Sequence, residues 1–261
     1  MHIVVCVKQV PDTTEVKVNP ETGTLIREGV PSIINPFDQF AIEEGLRLRD
    51  KVGGEVTVIS MGPPQAKAVI LLGLALGADR GILLTDRAFA GADTLSTAYT
   101  LSKAIQKLGK VDLVLCGMQA VDGDTAQVGP GLASTLKIPQ IAYAETLEVK
   151  EGKVRARRTM EDYIEVVETR LPALCTMTTP SNFVPTDPPF SKITKAKKKP
   201  YAEWTAEAIG ADPGRLGLKG SPTWVKKVYS AQTKEKAIII KGSADETVAK
   251  LVEILKKEHF L

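Results

Sequence analysis

The sequence predicts an α/β protein with a Rossmann-like, doubly wound parallel sheet. Short runs rich in β-branched residues or leucine alternate with segments whose apolar residues recur at helical spacing. The runs cover residues 2–8, 56–60, 81–84 and 111–116. The chain has 261 residues, 43% of them hydrophobic, which is enough for a large core. From about residue 140 the alternation gives way to strands alone, which predicts a β-hairpin added to the sheet.

The first helix of this pattern has an explicit start. Asn35 is a preferred N-cap residue, Pro36 suits the first helical position, and Asp38 places an acid in the first turn. This helix is predicted to run to about residue 50, and another helix to begin at Asp93. Before the first helix, residues 16–29 predict an inserted hairpin. On the first helix, the periodicity of apolar residues places Ala41, Ile42, Gly45 and Leu46 in the core. It places Glu43, Glu44, Arg47 and Arg49 in solvent.

The last part of the chain changes character twice. Residues 146–177 alternate apolar and polar side chains around Glu151 and Gly152, which predicts the added hairpin. Residues 180–232 are rich in Pro, Lys and Ser and show little periodicity, and a strand-like run and a helix follow at 237–257. Because so long a structureless segment is uncommon inside a compact domain, two parts are predicted. Residues 1–180 form the α/β domain, and residues 181–261 form an extended C-terminal arm that wraps a partner.

Composition argues against several classes of protein. The net charge is only +3, and the lysine run at 192–199 contains no arginine, so it predicts a protein-facing surface and no nucleic-acid binding. Cys6, Cys116 and Cys175 lack metal-ligand spacing and lie in apolar runs, which favours buried, reduced thiols in the cytoplasm. No apolar run approaches the roughly 20 residues of a membrane span. The first residues predict a strand and not an export signal.

Residues 116–131, CGMQAVDGDTAQVGPG, follow a buried strand and lead into a helix. A glycine-bearing turn of this kind exposes backbone N–H groups and a helix N-terminus, which together attract phosphate. An ordinary strand-to-helix turn is the alternative explanation. The helix start at Asp93, with the hydroxyls of Thr94 and Thr97, is a candidate for a second phosphate, although an Asp cap alone also explains it. In a doubly wound sheet, ligands bind at this edge.

Asn35 and Asp38 are candidates to hydrogen-bond an adenine or ribose edge, and capping alone is the alternative for Asn35. No conventional catalytic constellation accompanies them, since His2 and His259 lie at opposite ends of the chain and no GxSxG or HExxH occurs. The acids within residues 116–131 are explained as loop-shaping and hydroxyl-binding groups. The sequence therefore predicts a protein that binds a reactive cofactor and is not catalytic alone.

Six motifs, in order along nearly the whole chain, resemble the β subunit of electron-transfer flavoproteins. They are VCVKQVPDT, INPFDQFAIEE, VISMGPP, GADRGILLTDRAFAGADTLST, GMQAVDGDTAQVGP and ITKAKKKP. The resemblance implies a fold of the adenine-nucleotide hydrolase type, a heterodimer with an FAD-binding α subunit, and electron transfer. It implies nucleotide contacts at Cys6, Asn35, Asp38, Met61, Asp122, Gly123, Asp124, Thr125, Ala126, Gln127, Gly129 and Pro130, beside the candidates Thr94 and Thr97.

Within this family, housekeeping members hold AMP in the β subunit, and electron-bifurcating members hold a second FAD there. Three stretches resemble the bifurcating branch. VPDTTE has no aromatic residue at Thr13, residues 86–97 resemble that branch at a helix start, and residues 217–228 resemble its nitrogen-fixation-associated, quinone-linked members. FAD is therefore the expected cofactor, with NADH as electron donor. A housekeeping β subunit with structural AMP, which carries electrons from acyl-CoA dehydrogenases to a quinone oxidoreductase, is the alternative.

The expected electron acceptors are a ferredoxin or flavodoxin at low potential and a quinone oxidoreductase or acyl-CoA dehydrogenase at high potential. The resemblance implies a recognition loop over residues 188–199. Its apolar anchor is Phe190 or Ile193, and Lys195, Lys197 and Lys198 would speed the encounter with the redox partner. Contact with a membrane is expected only through such a partner.

Two further classes bind adenine nucleotides with a related fold. A nucleotide-dependent synthetase would carry a Ser- and Gly-rich loop after the first strand, where this chain has KQVPDTTE, so that class is disfavoured. A structural module that only binds AMP stays open, because FAD and AMP share the adenosine-phosphate half.

Overall fold

The computed structural model describes residues 1–12, 31–226 and 239–261, and the chain divides into two compact units, residues 1–226 and 227–261. The strands described are β1 (His2–Val7), β2 (Gln9–Pro11), β3 (Ser32–Ile34), β4 (Glu55–Met61), β5 (Arg80–Leu84), β6 (Leu113–Gly117), β7 (Gln140–Lys150), β8 (Lys153–Thr159), β9 (Ile164–Arg170), β10 (Ala173–Met177) and β11 (Tyr201–Trp204). The α-helices described are α1 (Pro36–Val52), α2 (Lys67–Leu76), α3 (Thr94–Lys107), α4 (Val128–Leu136), α5 (Phe190–Ala196) and α6 (Ala244–Lys257).

Nine strands form one sheet in the order β11-β5-β4-β1-β6-β10-β7-β8-β9. The strands from β11 to β7 are parallel to one another, whereas β8 is antiparallel to both β7 and β9. β2 and β3 pair separately in a short antiparallel ladder. This mixed sheet with its helices confirms the predicted α/β fold.

Successive residues of β1 face two separate hydrophobic cores. Ile3 and Val5 pack into a core shared with α1 and α2, whereas Val4 and Cys6 pack into a core shared with α3 and α4. All four are buried. Side chains of a strand alternate between the faces of a sheet, so helices cover both faces and the sheet is doubly wound.

The order of the strands reverses between β1 and β6. The chain runs outward from β1 to β4 and β5, and then crosses back to place β6 on the other side of β1. Ligands of doubly wound sheets bind beyond the carboxyl ends of the strands at such a switch point. The ends of β1 and β6, at Val7 and Gly117, therefore mark where a ligand site is expected.

Helix α1 begins at Pro36 as predicted, but one of its acids is not in solvent. Glu44 is only 5% exposed, and its carboxylate accepts hydrogen bonds from the backbone N–H of Leu147 at 2.7 Å and from the Arg47 guanidinium at 2.7 Å. The prediction that Glu44 faces solvent is wrong. β7 packs across the helix and supplies a donor that helical periodicity cannot reveal.

The residues 162–177, which alternation places in one hairpin, form two strands. β9 pairs with β8, and after Pro172 the chain enters the sheet again as β10, between β6 and β7, with every residue buried. The predicted turn is confirmed, because Glu151 and Gly152 take positive φ values of 52° and 72°. Positive φ at both central residues is typical of a two-residue hairpin turn.

The structural division falls after residue 226, whereas the sequence places it after residue 180. Within 181–226, α5 packs on α2 and β11 is the edge strand beside β5. Residues 205–223, here called the strap, follow β11 and contact α3, and their Ile209 and Leu216 are buried in the core that α3 shares. Two buried residues this far apart form no periodic apolar pattern. The sequence therefore predicts an extended arm in this stretch.

The second unit is described over residues 239–261 and contains α6. The helix begins with a reciprocal capping box between Ser243 and Glu246, which agrees with the predicted C-terminal helix. The predicted hairpin at residues 16–29, the position of Thr13 and residues 237–238 of the strand-like run lie outside the described residues. Among the helices described, none combines the length and the apolar character needed to cross a lipid bilayer.

Candidate functional site

The loop after β6, residues 118–127, lies at the carboxyl edge of the sheet. Its backbone turns tightly, because the carbonyl oxygen of Ala120 accepts the N–H groups of Gly123 at 3.2 Å and Asp124 at 2.8 Å. Asp124 and Ala126 both adopt a φ of 53°, in the left-handed region that residues with a Cβ rarely adopt. Strain of this kind clusters at functional sites. The tip is open, since a Cβ on Gly123 would meet no atom within 4 Å.

Two helix N-termini meet beside this loop. The hydroxyl of Thr94, the first residue of α3, donates to the side-chain oxygen of Gln127, directly before α4, at 3.1 Å. Gln127 makes no side-chain cap, so no capping side chain occupies the first-turn N–H groups of α4. Thr97 lies in the first turn of α3. The structure thus brings together the two helix starts that the sequence singles out.

Asp93 joins the start of α3 to the strap. One carboxylate oxygen accepts the N–H groups of Leu95 and Ser96, each at 3.0 Å, and the other accepts the hydroxyl of Thr223 at 2.9 Å. Its own N–H donates to the hydroxyl of Ser221 at 2.8 Å. Burial raises the pKa of Asp93, but the hydrogen bonds outweigh burial and leave the pKa below its ordinary value. The Asp cap is therefore real, and sequence reasoning missed the second role of this carboxylate.

Asn35 stands before α1, but its side chain does not cap that helix. It is fully buried, its amide donates to the carbonyl oxygen of Gln119 at 2.8 Å, and its Oδ1 accepts the N–H of Val121 at 3.2 Å. Capping by the side chain is thus the wrong explanation for Asn35. Its hydrogen bonds hold the loop after β6.

Asp38 links the ends of the two strands at the switch point. Its carboxylate accepts the N–H of Lys8 at 2.7 Å and the N–H of Gly117 at 3.0 Å, and the residue is only 6% exposed. Burial raises the pKa of Asp38 to about 7, although the hydrogen bonds with Asn35, Lys8 and Gly117 oppose that shift. A carboxyl group at this position is shielded from solvent and already engaged by the backbone.

The side chain of Lys8 bonds to the loop after β6. Its Nζ donates to both carboxylate oxygens of Asp122, at 2.6 and 2.8 Å. The sequence placed Asp122 in the loop but gave Lys8 no role, because residue spacing holds no signal for a contact across 114 positions. Lys8 adds a cation where the loop and the end of β1 approach each other.

The three thiols are buried, as the sequence predicts. Cys6 and Cys116 are direct neighbours in the β1–β6 ladder. The hydrogen bond with Cys6 and burial raise the pKa of Cys116 well above its ordinary value, and burial raises the pKa of Cys175 to about 12. At the end of β4, Met61 packs against the same core as Cys6.

The expected nucleotide contacts occupy four places in the fold. Cys6 and Met61 lie near strand ends, Asn35 and Asp38 lie at the start of α1, and Thr94 and Thr97 lie in the first turn of α3. The loop and the first turn of α4 hold Asp122, Gly123, Asp124, Thr125, Ala126, Gln127, Gly129 and Pro130. All of them lie at or near the carboxyl edge of the sheet, and Asn35, Asp38, Cys6 and Gly129 are buried there.

The groups at this edge fit the phosphates and ribose of a nucleotide. Helix N-termini, threonine hydroxyls and a lysine are donors that bind phosphate, and the loop acids are acceptors for hydroxyl groups. Gly129 allows α4 to approach β10 closely, because a Cβ there would lie 2.4 Å from the Cγ2 of Thr176. Within the described ranges, no cluster of three or more His, Cys, Asp or Glu side chains is arranged to hold a metal ion.

The expected partner-binding residues lie on or directly after α5. Phe190 is 81% exposed and Ile193 is 38% exposed. Lys195, Lys197 and Lys198 are exposed as well. An apolar ring at the start of α5 and three lysines near its end are therefore open to a partner, which is compatible with the anchor and the steering charges that the sequence predicts.

Comparison with known proteins adds an independent line of evidence. A family profile described as "Electron transfer flavoprotein domain" matches residues 22–209. The "Electron transfer flavoprotein subunit beta" of Clostridium acetobutylicum is 52% identical over 261 residues, covering all of both chains. The "Caffeyl-CoA reductase-Etf complex subunit CarD" of Acetobacterium woodii is 47% identical, again covering all of both chains. "Protein FixA" of Bradyrhizobium diazoefficiens is 43% identical over 98% of this chain and 91% of its own length.

Proposed function

Because the chain belongs to the electron transfer flavoprotein family and aligns along its whole length with β subunits, we propose that it binds FAD at the loop after β6 and at the starts of α3 and α4. The observation that carries this proposal is the contact between Thr94 and Gln127, which places two helix N-termini side by side. The single phosphate of AMP needs one such start, whereas the pyrophosphate of FAD has two phosphates to bind.

The proposed role is that of a β subunit in a heterodimer with an FAD-binding α subunit. The pair takes electrons from NADH and bifurcates them to a ferredoxin or flavodoxin and to a quinone oxidoreductase or acyl-CoA dehydrogenase. FAD, when bound, supplies one- and two-electron redox chemistry. The resemblance of residues 86–97 and 217–228 to the bifurcating branch supports this role, as does similarity to CarD, a protein named for a reductase–Etf complex. The proposed site of action is the cytoplasm, with membrane contact only through a partner.

In this proposal the residues of the chain bind and orient. The N–H groups that begin α4 face one phosphate. At the start of α3 the hydroxyls of Thr94 and Thr97 are the donors, because Asp93 already accepts the N–H groups of Leu95 and Ser96. Asp122 and Asp124 are acceptors for ribose or flavin hydroxyls. The second unit is proposed to bind the α subunit, because α6 exposes Val248 at 59% and Leu251 at 46% on one side of the helix.

The test of the proposed function counts cofactors in the purified heterodimer. Nucleotides are released with acid and separated by chromatography, and the heterodimer is titrated with NADH while its absorbance is recorded. We expect two flavins per heterodimer and bleaching by NADH. One flavin with stoichiometric AMP, and no reaction with NADH, would assign the chain to the housekeeping class.

Replacing both Thr94 and Thr97 with alanine is expected to reduce FAD retention by one or more orders of magnitude. Each hydroxyl that binds a charged phosphate contributes about 1.5–3 kcal/mol. AMP affinity, measured by titration calorimetry, should change less. Thr135→Ala is the matched control, because that hydroxyl bonds to the carbonyl oxygen of Gly131 in the last turns of α4. Equal losses of FAD in the control and the double variant would contradict a phosphate site at α3.

Replacing Lys195, Lys197 and Lys198 with glutamine is expected to slow reduction of the redox partner several-fold at low salt. Exposed cations act through long-range steering, which salt screens, so the rate difference should shrink as ionic strength rises. Stopped-flow kinetics at several salt concentrations measure both effects. Glutamine at the exposed Lys51, Lys110 and Lys150 changes the charge equally elsewhere. If both triple variants share one salt dependence, net charge and not α5 governs association.

A further inference from the structure

The buried side chains at the start of α1 form hydrogen bonds with main-chain groups of the site. The two loop hydrogen bonds of Asn35 reach Gln119 and Val121, and those of Asp38 reach Gly117 and Lys8. Every one of these partners is a main-chain group directly after β1, at the end of β6 or in the loop that follows β6. We propose that Asn35 and Asp38 are positioning residues, which set the shape of the nucleotide-binding loop without presenting their own side chains to the nucleotide.

Burial supports this assignment. Asn35 has no exposed surface and Asp38 only 6%, so a ligand at the edge of the sheet reaches neither side chain unless the loop moves. Three amides, those of Lys8, Gly117 and Val121, depend on these two side chains for their acceptors. A buried N–H that loses its acceptor is strongly disfavoured, so the loop should shift when either side chain is removed.

Charge supports it as well. An ionised carboxylate accepts both amide bonds of Asp38, whereas a protonated carboxyl or an asparagine side chain presents one donor to an amide that needs an acceptor. The charged and titratable groups that face Asp38 are Lys8 directly after β1, Cys116 from β6 and, through Lys8, Asp122 from the loop. A buried charge at this position destabilises the fold. A role in positioning the site explains why the chain has an aspartate there.

The test compares Asp38→Asn and Asn35→Ala with Glu44→Gln, in the full-length chain bound to its α subunit. Glu44 is a matched control, because it is another buried acid of α1, in the middle of the helix, and it accepts a distant amide, that of Leu147 in β7. Hydrogen exchange at Lys8, Gly117, Val121 and Leu147 reports the loop and the control position. Retained FAD and AMP are quantified by chromatography after acid release.

We expect the first two variants to speed exchange at Lys8, Gly117 or Val121 and to weaken nucleotide binding about tenfold, which is the effect of one lost buried hydrogen bond. The control should speed exchange at Leu147 and keep its nucleotide. Faster exchange with full retention would overturn the inference, as would lost nucleotide with unchanged exchange, which indicates direct contact. Equal nucleotide loss in the control would also overturn it.

The inference rests on the proposed function, and the two fail differently. A wild-type heterodimer that holds neither FAD nor AMP in this subunit overturns the proposed function and the inference with it. A wild-type heterodimer that holds its nucleotide, beside an Asp38→Asn variant that holds it equally well, overturns the positioning role alone.

Discussion

Alanine in place of Gly117 is expected to abolish nucleotide binding and to lower the stability of the first unit by about 3 kcal/mol or more. A Cβ at this position would lie 2.3 Å from Oδ1 of Asp38, 2.7 Å from Cβ of Phe37 and 2.9 Å from the backbone nitrogen of Asp38. Carbon atoms in contact normally stand about 3.5–4.0 Å apart, so α1 must move away from β6. That movement breaks the hydrogen bond between Gly117 and Asp38.

Gly123→Ala is the matched control for the effect on stability. It adds the same methyl group six positions later in the chain, where nothing lies within 4 Å and φ is not positive. Its stability should stay within about 0.5 kcal/mol of wild type. The measurements are thermal unfolding of both variants and the nucleotide content of the Gly117→Ala variant. A Gly117→Ala chain that melts and binds like wild type would contradict the close packing of α1 on β6.

The unfolding free energy of the isolated full-length chain is expected to fall as the pH rises from about 4 to about 7, through Asp38. Burial raises the pKa of this carboxyl from 3.8 to about 7 in the folded chain, so the folded chain holds the proton more tightly than the unfolded chain does. The resulting stabilisation is complete below the unfolded pKa and is lost as the pH passes the folded one. The slope approaches about 1.4 kcal/mol per pH unit within this window.

Asp38→Asn isolates this contribution, because the variant has nearly the same shape and no proton to release. Urea unfolding at pH 5, 6, 7 and 8 should show the variant gaining stability relative to wild type as the pH rises. A variant that is relatively more stable at pH 8 and yet binds nucleotide more weakly would separate a positioning role from a structural one. Parallel pH curves for the two proteins would show that the pKa of Asp38 is not raised.

Local chemistry made much of the fold predictable. The proline and acid after Asn35 predict the start of α1, and the turn residues Glu151 and Gly152 predict the hairpin. The position of β10 between β6 and β7 was not predictable, because it depends on pairings between strands far apart in the chain. The strap was missed because its buried anchors, Ile209 and Leu216, are too widely spaced to form a pattern.

The site was predictable as a set of segments and not as a set of roles. Glycine, threonine and aspartate at characteristic spacings mark strand ends and helix starts in the sequence, as at Asp93. What each side chain contacts is decided by the fold, since Asn35 reaches the loop 84 residues away and Glu44 reaches β7. The residues around Lys8 do not predict its contact, because only the folded sheet brings it beside Asp122.

The thiol of Cys116 adjoins Gly117 and is buried, with a raised pKa. Alkylating reagents react with the thiolate. Cys116 is therefore protected twice in the folded sheet, because burial blocks the reagent and the raised pKa keeps the thiol protonated. Modification then requires the end of β6 to come away from its neighbours for a moment. The rate at which iodoacetamide modifies Cys116 under native conditions therefore measures how often the sheet opens locally at the switch point, and the measurement needs no bound chromophore.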